Sequence, residues 1–519
     1  MQVNAQSPEG TQGDFIIKPF VMIISSENIL LLGSLLLIAG VLIGKTSYRT
    51  GLPLLLVFLL VGMGFGNDGL GIHFNNMHDA QFVGMIALCI ILFSGGMSTR
   101  ITAIRPVIAP GLVLSSVGVL LTALVTGLFI FWLSGMPWTN IHFSLLPSLL
   151  LAATMSSTDS ASVFGILGSQ KVALRHNLRP MLELESGSND PMAYMLTLIL
   201  IEAITLGGSM SAGPIIAQLL LQFGVGGAMG AVMGYFTRWL IKCYRRLGSA
   251  ASREDAGQAT AMISILILGS IFLTYTSTTN LGGNGYLAVY IGGIALGNST
   301  LPHHRSIAKF MDGLTWLAQI VVFLMLGLLV NPHEMLSVAA VSFLIGIFMI
   351  AVGRPASVFL SLLPFRKIDL RTKSFVSWVG LRGAAPIIFA TYPVVADVPG
   401  ASQIFNIVFF VTLISLVVQG TTVIAAARKL RLIDNSAQQE EDFGVELDEE
   451  LPTSLHTMVL RESDLTKGNT LSDIALPQGQ LVMMIRRGDR YIVPNGKRKL
   501  SAGDTLLIIK EDTSRNHDG

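Results

Sequence analysis

The stretch SLLLAATMSSTDSASVFGIL, residues 148–167, is an apolar segment with a run of hydroxyl side chains and the carboxylate of Asp159 at its centre. A second stretch, SFVSWVGLRGAAPIIF, residues 374–389, repeats this pattern with Arg382 between two glycines. Glycines, and a proline such as Pro386, weaken a helix. We therefore predict that both stretches unwind at their centres. Free helix ends carry partial charges of opposite sign, which an Asp and an Arg at the breaks would neutralise.

The composition of the whole chain is that of a membrane protein. Of its 519 residues, 51% are hydrophobic and 13% are charged, whereas about a quarter of the residues of soluble domains are charged. The net charge of +2 gives no indication of nucleic-acid binding. Thirteen apolar runs approach the length of about 20 residues that a membrane helix needs, at 28–44, 51–66, 82–96, 106–134, 143–167, 183–207, 213–240, 257–277, 283–298, 314–330, 336–363, 374–393 and 403–427.

Basic residues alternate along the connections between these spans. Every odd-numbered connection, beginning with the one that contains Lys45 and Arg49, carries Lys or Arg, and no even-numbered connection does. Because basic loops face the cytoplasm, we expect the N-terminal segment 1–27 in the periplasm and the C-terminus in the cytosol of a bacterial inner membrane. Spans 1–6 and 8–13 then form two inverted halves, a common plan of secondary transporters, in which span 5 pairs with span 12.

Span 6 contains two acids in the sequence ESGSNDPMAY, residues 185–194. Glu185 and Asp190 need an explanation, since burying a charge in a bilayer is costly unless it is paired or hydrated. Pro191 is expected to interrupt the helix. Glu185 points away from Asp190, and we predict that it forms a structural ion pair with Arg354 of span 11.

Asp190 is predicted to lie at the same depth as Asp159 and Arg382, about 12 Å from the cytosolic side at the helical rise per residue. Ser186 shares its helix face. Carboxylate and hydroxyl oxygens are hard ligands suited to cations, and a carboxylate that is partly removed from water also holds a proton more readily. Such a group holds a proton or a cation but not both. If only the loaded carrier reorients, this competition alone gives cation:proton exchange.

These motifs resemble those of the monovalent cation:proton antiporters of the NhaP and sodium/proton-exchanger branch. The matching residues are Thr158-Asp159, Glu185 through Asn189-Asp190, Arg354, and Gly380-Leu381-Arg382-Gly383-Ala384. The resemblance covers about residues 28–430. It implies an all-α polytopic membrane protein with thirteen transmembrane helices in two inverted six-helix repeats, whose broken spans 5 and 12 cross. It also implies a core domain that moves against a dimerising scaffold, and a homodimer.

The resemblance further implies roles for the site residues. Asp190 would be the exchanging carboxylate, and Glu185, Arg354 and Arg382 would be structural. Asn189 before Asp190, in place of a second aspartate, resembles the electroneutral branch. Ser160, where many members have proline, resembles the cell volume regulation subgroup and implies K⁺ as the substrate, with Na⁺ at the same site as the alternative. The monovalent cation would bind at Asp190 and Asp159, with no cofactor, and the other cation-binding residues would be Thr158, Ser186 and Asn189.

The composition changes after the last span. Residues 431–451 are acidic and polar, as is typical of a linker. The runs LVMMIRR, RYIVP and DTLLIIK then alternate with turn residues at strand spacing. This pattern resembles the TrkA-C (RCK-C) module at residues 452–511, a small cytosolic α+β domain, before a polar tail at 512–519. The resemblance implies regulation by a nucleotide or anionic ligand, with a bare dimerisation cap as the alternative.

Other classes of protein share part of the pattern. A regulated potassium channel also carries the tail module, but the sequence contains no TVGYG-like filter. An intramembrane aspartyl protease needs two membrane acids, but its GxGD signature is absent. An anion carrier would need Arg354 and Arg382 to face its substrate. GVGGAMG, residues 224–230, imitates a dinucleotide loop, but it lies in a span and indicates close helix packing. The chain is therefore predicted to be a secondary transporter in membrane lipid rather than an enzyme.

Overall fold

The computed structural model describes residues 33–44, 53–434 and 453–511, apart from short gaps at 73, 75, 171, 176, 208–211, 248–255, 302, 461, 466–467, 475, 477–478 and 489. The predicted periplasmic segment 1–27 and the polar tail 512–519 lie outside the described residues, as does most of the acidic linker.

Helices make up most of the described chain up to residue 434. Seven of them are long and apolar enough to cross a membrane, and five more are apolar but shorter. The chain is thus a mostly helical membrane protein, as predicted. In chain order the helices are α1 (Gly33–Gly44), α2 (Leu54–Phe65), α3 (Met77–Ser98), α4 (Ile101–Ser134), α5 (Leu145–Thr154), α6 (Ser160–Ser169), α7 (Leu178–Thr205), α8 (Ala212–Leu247), α9 (Ala256–Asn280), α10 (Gly285–Gly297), α11 (His304–Leu329), α12 (Pro332–Ser361), α13 (Leu370–Trp378), α14 (Ala384–Val395) and α15 (Ala401–Lys429).

Several helices begin before the apolar runs that predict them. α11 begins at His304 rather than at 314, and α3 begins at Met77 rather than at 82. Polar first turns give no apolar signal, although they form helix hydrogen bonds like any other turn. At α3 the side chain of Asn76 accepts hydrogen bonds from the first-turn amides of His78 and Asp79, at 3.1 and 3.3 Å, and so caps the helix.

The predicted interruption of span 6 at Pro191 is wrong. α7 runs without a break from Leu178 to Thr205, with Pro191 inside it. A proline removes one backbone donor from a helix, and here the rest of the hydrogen-bond ladder continues on both sides. Asp190 therefore lies on a continuous helix, whereas Asp159 lies at a break.

The helices pack as two groups. Helices α1–α3 and α8–α11 pack mainly on one another, and we call them the α10 bundle. Helices α4–α7 and α12–α15 also pack mainly on one another, and we call them the α7 bundle. The two bundles meet where α3 and α11 contact α14, and where α10 contacts α7.

Glycines allow α8 to approach α10 closely. A Cβ atom added at Gly230 would lie 2.6 Å from the carbonyl oxygen of Ala288, and one at Gly234 would lie 2.7 Å from the Cβ atom of Ala295. Both distances are shorter than real contacts allow, so only glycine fits. The glycine-rich stretch at 224–230 is therefore a packing surface, as the sequence indicated.

Two spans are broken and meet at their breaks. α5 ends at Thr154 and α6 begins at Ser160, while α13 ends at Trp378 and α14 begins at Ala384. The backbone N–H of Asp159 donates a 2.7 Å hydrogen bond to the carbonyl of Leu381, which joins the two unwound segments. The predicted unwinding at both stretches is confirmed.

Residues 453–511 form an antiparallel sheet with the strand order β1-β4-β2-β3. The strands are β1 (Thr453–Val459), β2 (Gln480–Arg487), β3 (Arg490–Ile492) and β4 (Thr505–Glu511). Three of them are the runs that strand spacing predicts, whereas β1 has no clear alternation in the sequence. A separate apolar core lies on this sheet, formed by Leu460, Val482, Ile485, Leu500, Leu506 and Ile508.

Candidate functional site

Asp190 projects from the middle of α7 toward the break in the first broken span. Its Oδ1 accepts a short hydrogen bond from the hydroxyl of Ser157, in the unwound segment between α5 and α6. Its Oδ2 accepts no hydrogen bond from the described residues. The side chain is 8% exposed and lines a cavity. Asp190 thus keeps one carboxylate oxygen free for a ligand.

Asp159 is differently engaged. It is the N-cap of α6: its Oδ1 accepts from the backbone N–H of Ser162 at 3.1 Å, and its Oδ2 accepts a short hydrogen bond from the Ser162 hydroxyl. A negative group at this position also faces the positive end of the helix. Both oxygens of Asp159 therefore hold the half-helix α6 in place, although the residue lines the same cavity as Asp190.

Thr158, Ser186 and Asn189 join α7 to the unwound segment. The Ser186 hydroxyl donates to the carbonyl of Thr158 at 2.9 Å and accepts from the amide of Ser160 at 3.1 Å. Asn189 Nδ2 donates to the Thr158 hydroxyl at 2.5 Å. Ser186 lines the cavity, whereas Thr158 and Asn189 lie behind its wall. The buried Oδ1 of Asn189 has no partner among the described residues.

Arg382 fills the other end of the break. Its Nη1 donates to the carbonyl of Ser156 at 2.8 Å and, by a short hydrogen bond, to that of Ser157. These carbonyls lie just beyond the C-terminal end of α5, where a positive charge is favourable. Asp159 therefore lies at the positive N-terminal end of α6, and Arg382 lies at the negative C-terminal end of α5. Each charge is placed to neutralise the partial charge of its helix end.

Glu185 and Arg354 form the predicted ion pair. The Arg354 guanidinium donates a short hydrogen bond to Glu185 Oε1, and the two side chains are 2% and 1% exposed. Gly380 makes room for this pair, because a Cβ atom there would lie 2.8 Å from Arg354 Nε. Neither residue lines the cavity beside Asp190.

Two adjoining cavities lead to Asp190. The inner one, of about 240 Å³, is lined by Asp159, Ser160, Ser186 and Asp190. The outer one, of about 980 Å³, reaches Gln170 and Arg428, at helix ends that neighbour basic connections. Both are lined by Arg179 and Gln319. We call the outer cavity the funnel, because it is larger than the inner cavity and shares lining residues with it.

The sequence did not single out several residues that hold the site. Ser157, the partner of Asp190, is one of several serines in residues 148–167, and the sequence does not distinguish it from the others. Ser415 and Gln419 on α15 support Arg382: the Ser415 hydroxyl accepts from the Arg382 amide at 2.9 Å and donates to Gln419 Oε1 at 2.6 Å. Two polar residues four apart in an apolar helix were the available signal.

The oxygen atoms around the inner cavity are chemically suited to a hard cation. Asp190 has one carboxylate oxygen without a hydrogen-bond partner among the described residues, and Ser186 lines the same cavity. Of the three acids that line this cavity, Glu183 is paired with Arg179, whereas Asp159 and Asp190 form no salt bridge within the described chain. Carboxylate, hydroxyl and carbonyl oxygens are the donors that such cations prefer.

Comparisons with known proteins agree with this geometry. The family model described as "Sodium/hydrogen exchanger, transmembrane" matches residues 33–429, and that of the TrkA-C domain matches residues 455–513. The K(+)/H(+) antiporter NhaP2 of Shewanella baltica (strain OS223) is 36% identical over 493 residues, which cover 94% of this chain and 82% of that protein. The K(+)/H(+) antiporter NhaP of Alkalimonas amylolytica is 41% identical over 406 residues, covering 78% of this chain and 67% of that protein.

A solved structure has the same fold. The sodium proton antiporter MjNhaP1 from Methanocaldococcus jannaschii superposes with a TM-score of 0.64 at 22% identity, covering 78% of this chain and 99% of that chain. The relatives are named as antiporters, which are transporters and not enzymes. By its match over residues 33–429 and by these relatives, the chain belongs to the sodium/hydrogen exchanger family and carries a TrkA-C domain after its membrane helices.

Proposed function

We propose that this protein is a secondary antiporter that exchanges a monovalent cation for a proton at Asp190 by alternating access. The observation that carries the proposal is the contrast between Asp190 and Asp159, which both line the inner cavity. Asp190 lines the cavity and has one oxygen without a hydrogen-bond partner among the described residues, whereas both oxygens of Asp159 cap α6. The proton and the cation then compete for the same oxygen of Asp190.

The other predicted site residues assist Asp190. Ser186 and Asp159, which both line the cavity, provide further oxygens toward the cation. The Oδ1 of Asn189 is buried without a hydrogen-bond partner among the described residues, which makes it a further candidate ligand. Thr158 holds Asn189 in place. Asn189 adds no charge, so a single carboxylate binds either one proton or one monovalent cation. This supports electroneutral exchange.

We propose K⁺ as the cation. The support comes from relatives named K(+)/H(+) antiporters that cover most of this chain, and from Ser160 after the Thr158-Asp159 pair. Na⁺ is the alternative, since the MjNhaP1 structure and the antiporter NhaH of Halobacillus aidingensis, 27% identical over 333 residues, are named for sodium.

Proton flux in everted membrane vesicles tests both proposals. Respiration acidifies the vesicles, and a pH-sensitive dye follows their pH as KCl and then NaCl are added. K⁺-triggered dequenching that is lost in Asp190→Asn supports the proposal. A response to Na⁺ alone overturns the assignment of the cation. Cation movement without proton movement indicates a channel and contradicts exchange.

The predicted topology remains part of the proposal. If α5 with α6 and α13 with α14 each form one span, the fifteen helices of the described chain make thirteen spans over residues 28–430. The funnel end then faces the cytosol of an inner membrane, and the two crossed spans belong to inverted repeats. Cysteines placed near residues 45 and 140, labelled with an impermeant maleimide from one side, test this orientation.

A homodimer is also proposed. Apolar side chains cover one side of α8, with Leu220, Val232, Tyr235 and Trp239 all more than half exposed in the single chain. The share of its residues that are buried is the lowest among the seven long apolar helices. Cross-linking of a cysteine at position 232 in membranes tests whether α8 lies between two copies.

The TrkA-C domain is proposed to regulate exchange from residues 452–511, beyond a linker at 431–451. The start of this linker is attached to the connection that precedes α7. Leu174 and Ile433 form an antiparallel bridge, in which the Arg175 amide donates to the Leu432 carbonyl and the Asp434 amide donates to the Ala173 carbonyl, both at 2.9 Å. Tension on the linker would therefore reach α7 and Asp190.

A nucleotide or another anion is the ligand class proposed for this domain. Truncation after residue 434 keeps the bridge and removes the domain. If the domain regulates exchange, the truncated protein loses any response of its flux to added nucleotides while it retains the flux itself. Identical flux and nucleotide response in both forms would favour a bare dimerisation cap.

A further inference from the structure

Asn284 links three helices at a point next to Asp190. Its Oδ1 accepts from the amide of Leu287 at 3.0 Å and so caps α10, and its own amide donates to the carbonyl of Gln222 on α8 at 3.1 Å. Its Nδ2 donates across to the carbonyl of Pro191 on α7 at 2.8 Å. The side chain is 1% exposed. One residue of the α10 bundle thus holds the residue that follows Asp190 in the α7 bundle.

A tyrosine cluster continues this contact along α7. Tyr194, one turn beyond Asp190, packs edge-on against Tyr286 of α10, with ring centroids 4.8 Å apart, and against Tyr392 of α14 at 5.3 Å. Tyr275 of α9 lies 5.0 Å from Tyr286. The hydroxyls of Tyr286 and Tyr392 are 3.4 Å apart. Two tyrosines of this cluster come from each bundle.

The cluster lies on the side of Asp190 away from the funnel. The inner cavity is lined on α7 by Arg179, Glu183, Ser186, Gly187 and Asp190, which precede Pro191 and Tyr194 in the helix. None of Asn284, Tyr286 and Tyr392 lines either cavity. The two cavities therefore extend from Asp190 toward the funnel end, whereas Asn284 and the tyrosines pack across the two bundles on the other side.

We propose that Asn284 is a positioning residue for exchange and that, with the hydroxyl pair of Tyr286 and Tyr392, it forms a latch that holds the site open to the funnel. The proposal rests on the antiport function proposed above. The latch contacts join the two bundles, so they exist only while the bundles are in this arrangement. A contact that is present in one state only shifts the equilibrium between two states by its own free energy.

The alternative for Asn284 is a purely structural helix cap. Asn284→Ser separates the two roles, because serine caps a helix about as well as asparagine but is too short to donate to Pro191. Tyr286→Phe keeps the ring and the cap and removes only the hydroxyl. Asn76→Ser is the matched control for the cap, since Asn76 caps α3 at an exposed position. Tyr491→Phe, on the exposed edge strand β3 and outside both bundles, is the control for the hydroxyl.

The test measures KM for K⁺ from both sides of the membrane at equal pH, in everted and in right-side-out vesicles. The apparent affinity on each side scales with the population of the state that is open to that side. The ratio of KM on the closed side to KM on the funnel side therefore reports the equilibrium between the two states. Loss of one net hydrogen bond should lower this ratio about fivefold in Asn284→Ser, with a change in the same direction in Tyr286→Phe.

The possible outcomes are distinct. A lower ratio in both variants, with both controls unchanged, supports the latch. An unchanged ratio, or equal shifts of KM on the two sides, overturns it and leaves Asn284 as a cap. If Asn284→Ser fails to fold, the ratio in Tyr286→Phe decides by the same criterion. Absence of K⁺-dependent proton flux in the wild-type protein would overturn the antiport function itself. Intact flux with an unchanged KM ratio in the variants would overturn only the latch.

Discussion

The backbone of Asp159 and that of Leu381 are joined by a 2.7 Å hydrogen bond at the point where the two broken spans meet, which we call the crossing. Gly383, two residues after Leu381, allows this approach. A Cβ atom there would overlap the Asp159 carboxylate. The cap of α6 and the crossing of the spans therefore depend on each other.

Gly383→Ala is expected to lower exchange at least tenfold, because the added methyl group displaces Asp159 from the end of α6. Dye-based proton flux at matched expression measures the effect. Gly269→Ala, in α9 where a Cβ atom meets no neighbour within 4 Å, should leave flux unchanged. Full activity in Gly383→Ala would show that the crossing tolerates movement of Asp159.

The crossing shows what the sequence could and could not predict. The breaks at 155–159 and 379–383 follow from local chemistry: hydroxyl groups, glycines and a charge in an apolar segment. Which helix end each charged side chain contacts depends on the tertiary fold. The sequence placed Asp159, Asp190 and Arg382 at one depth, but only the structure assigns Asp159 to the cap of α6, Arg382 to the carbonyl end of α5, and a free oxygen to Asp190.

The features that the sequence did not predict depend on packing between distant parts of the chain or on helical turns without apolar residues. Pro191 interrupts a helix when judged alone, but packing on both sides keeps α7 continuous. The polar first turns of α3 and α11 lack the apolar signal on which span prediction depends. Asn284 and Tyr286 gave no signal as site residues, since their partners lie in other helices far along the chain.

Substitutions at Asp159 should separate capping from cation binding. Asp159→Ala removes the cap of α6 and is expected to lower the free energy of unfolding by about 1 kcal/mol, whereas Asp159→Asn keeps the cap. Asp159→Asn still loses the negative charge and should raise KM for the cation about tenfold. Thermal unfolding in detergent and flux titrations measure the two effects. Equal unfolding temperatures for both variants would contradict the capping role.

Breaking the buried pair of Glu185 and Arg354 should destabilise the membrane domain. Arg354→Met leaves the Glu185 carboxylate without its partner and is expected to cost about 3–5 kcal/mol, while adding Glu185→Leu restores much of this loss. The yield of folded protein after a heating step measures the recovery. Exchange in the double variant would confirm that the pair is structural. A stable double variant without exchange would instead place Glu185 on the ion path.

The C-terminal sheet should weaken in acid. Burial alone would raise the pKa of Asp504, but hydrogen bonds from Arg487, at 2.8 and 2.7 Å, and from the Ser501 amide hold that pKa below its ordinary value. A carboxyl with a lowered pKa in the folded state stabilises the fold above its unfolded pKa, about 3.9. This stabilisation is lost as the pH falls through the lower, folded pKa.

Hydrogen exchange of the β2 and β4 amides in the full-length protein measures this effect at pH 7 and below pH 4. Arg487→Ala should lower the protection of these amides at neutral pH by about 1 kcal/mol. This is less than for a fully buried charged contact, because Arg487 is half exposed. Arg490→Ala, on the exposed edge strand, is the control. Equal protection in the two variants at pH 7 would contradict a stabilising role of the Asp504 contact.

Proton release on cation binding tests the central claim most directly. Purified protein in a weakly buffered detergent solution near neutral pH receives KCl, and a pH indicator follows the protons that the cation displaces; choline chloride corrects for ionic strength. We predict release of up to one proton per chain for the wild-type protein and for Asp397→Asn, an exposed loop variant, and none for Asp190→Asn. Undiminished release from Asp190→Asn would show that the proton and the cation do not compete at Asp190, and would contradict the account.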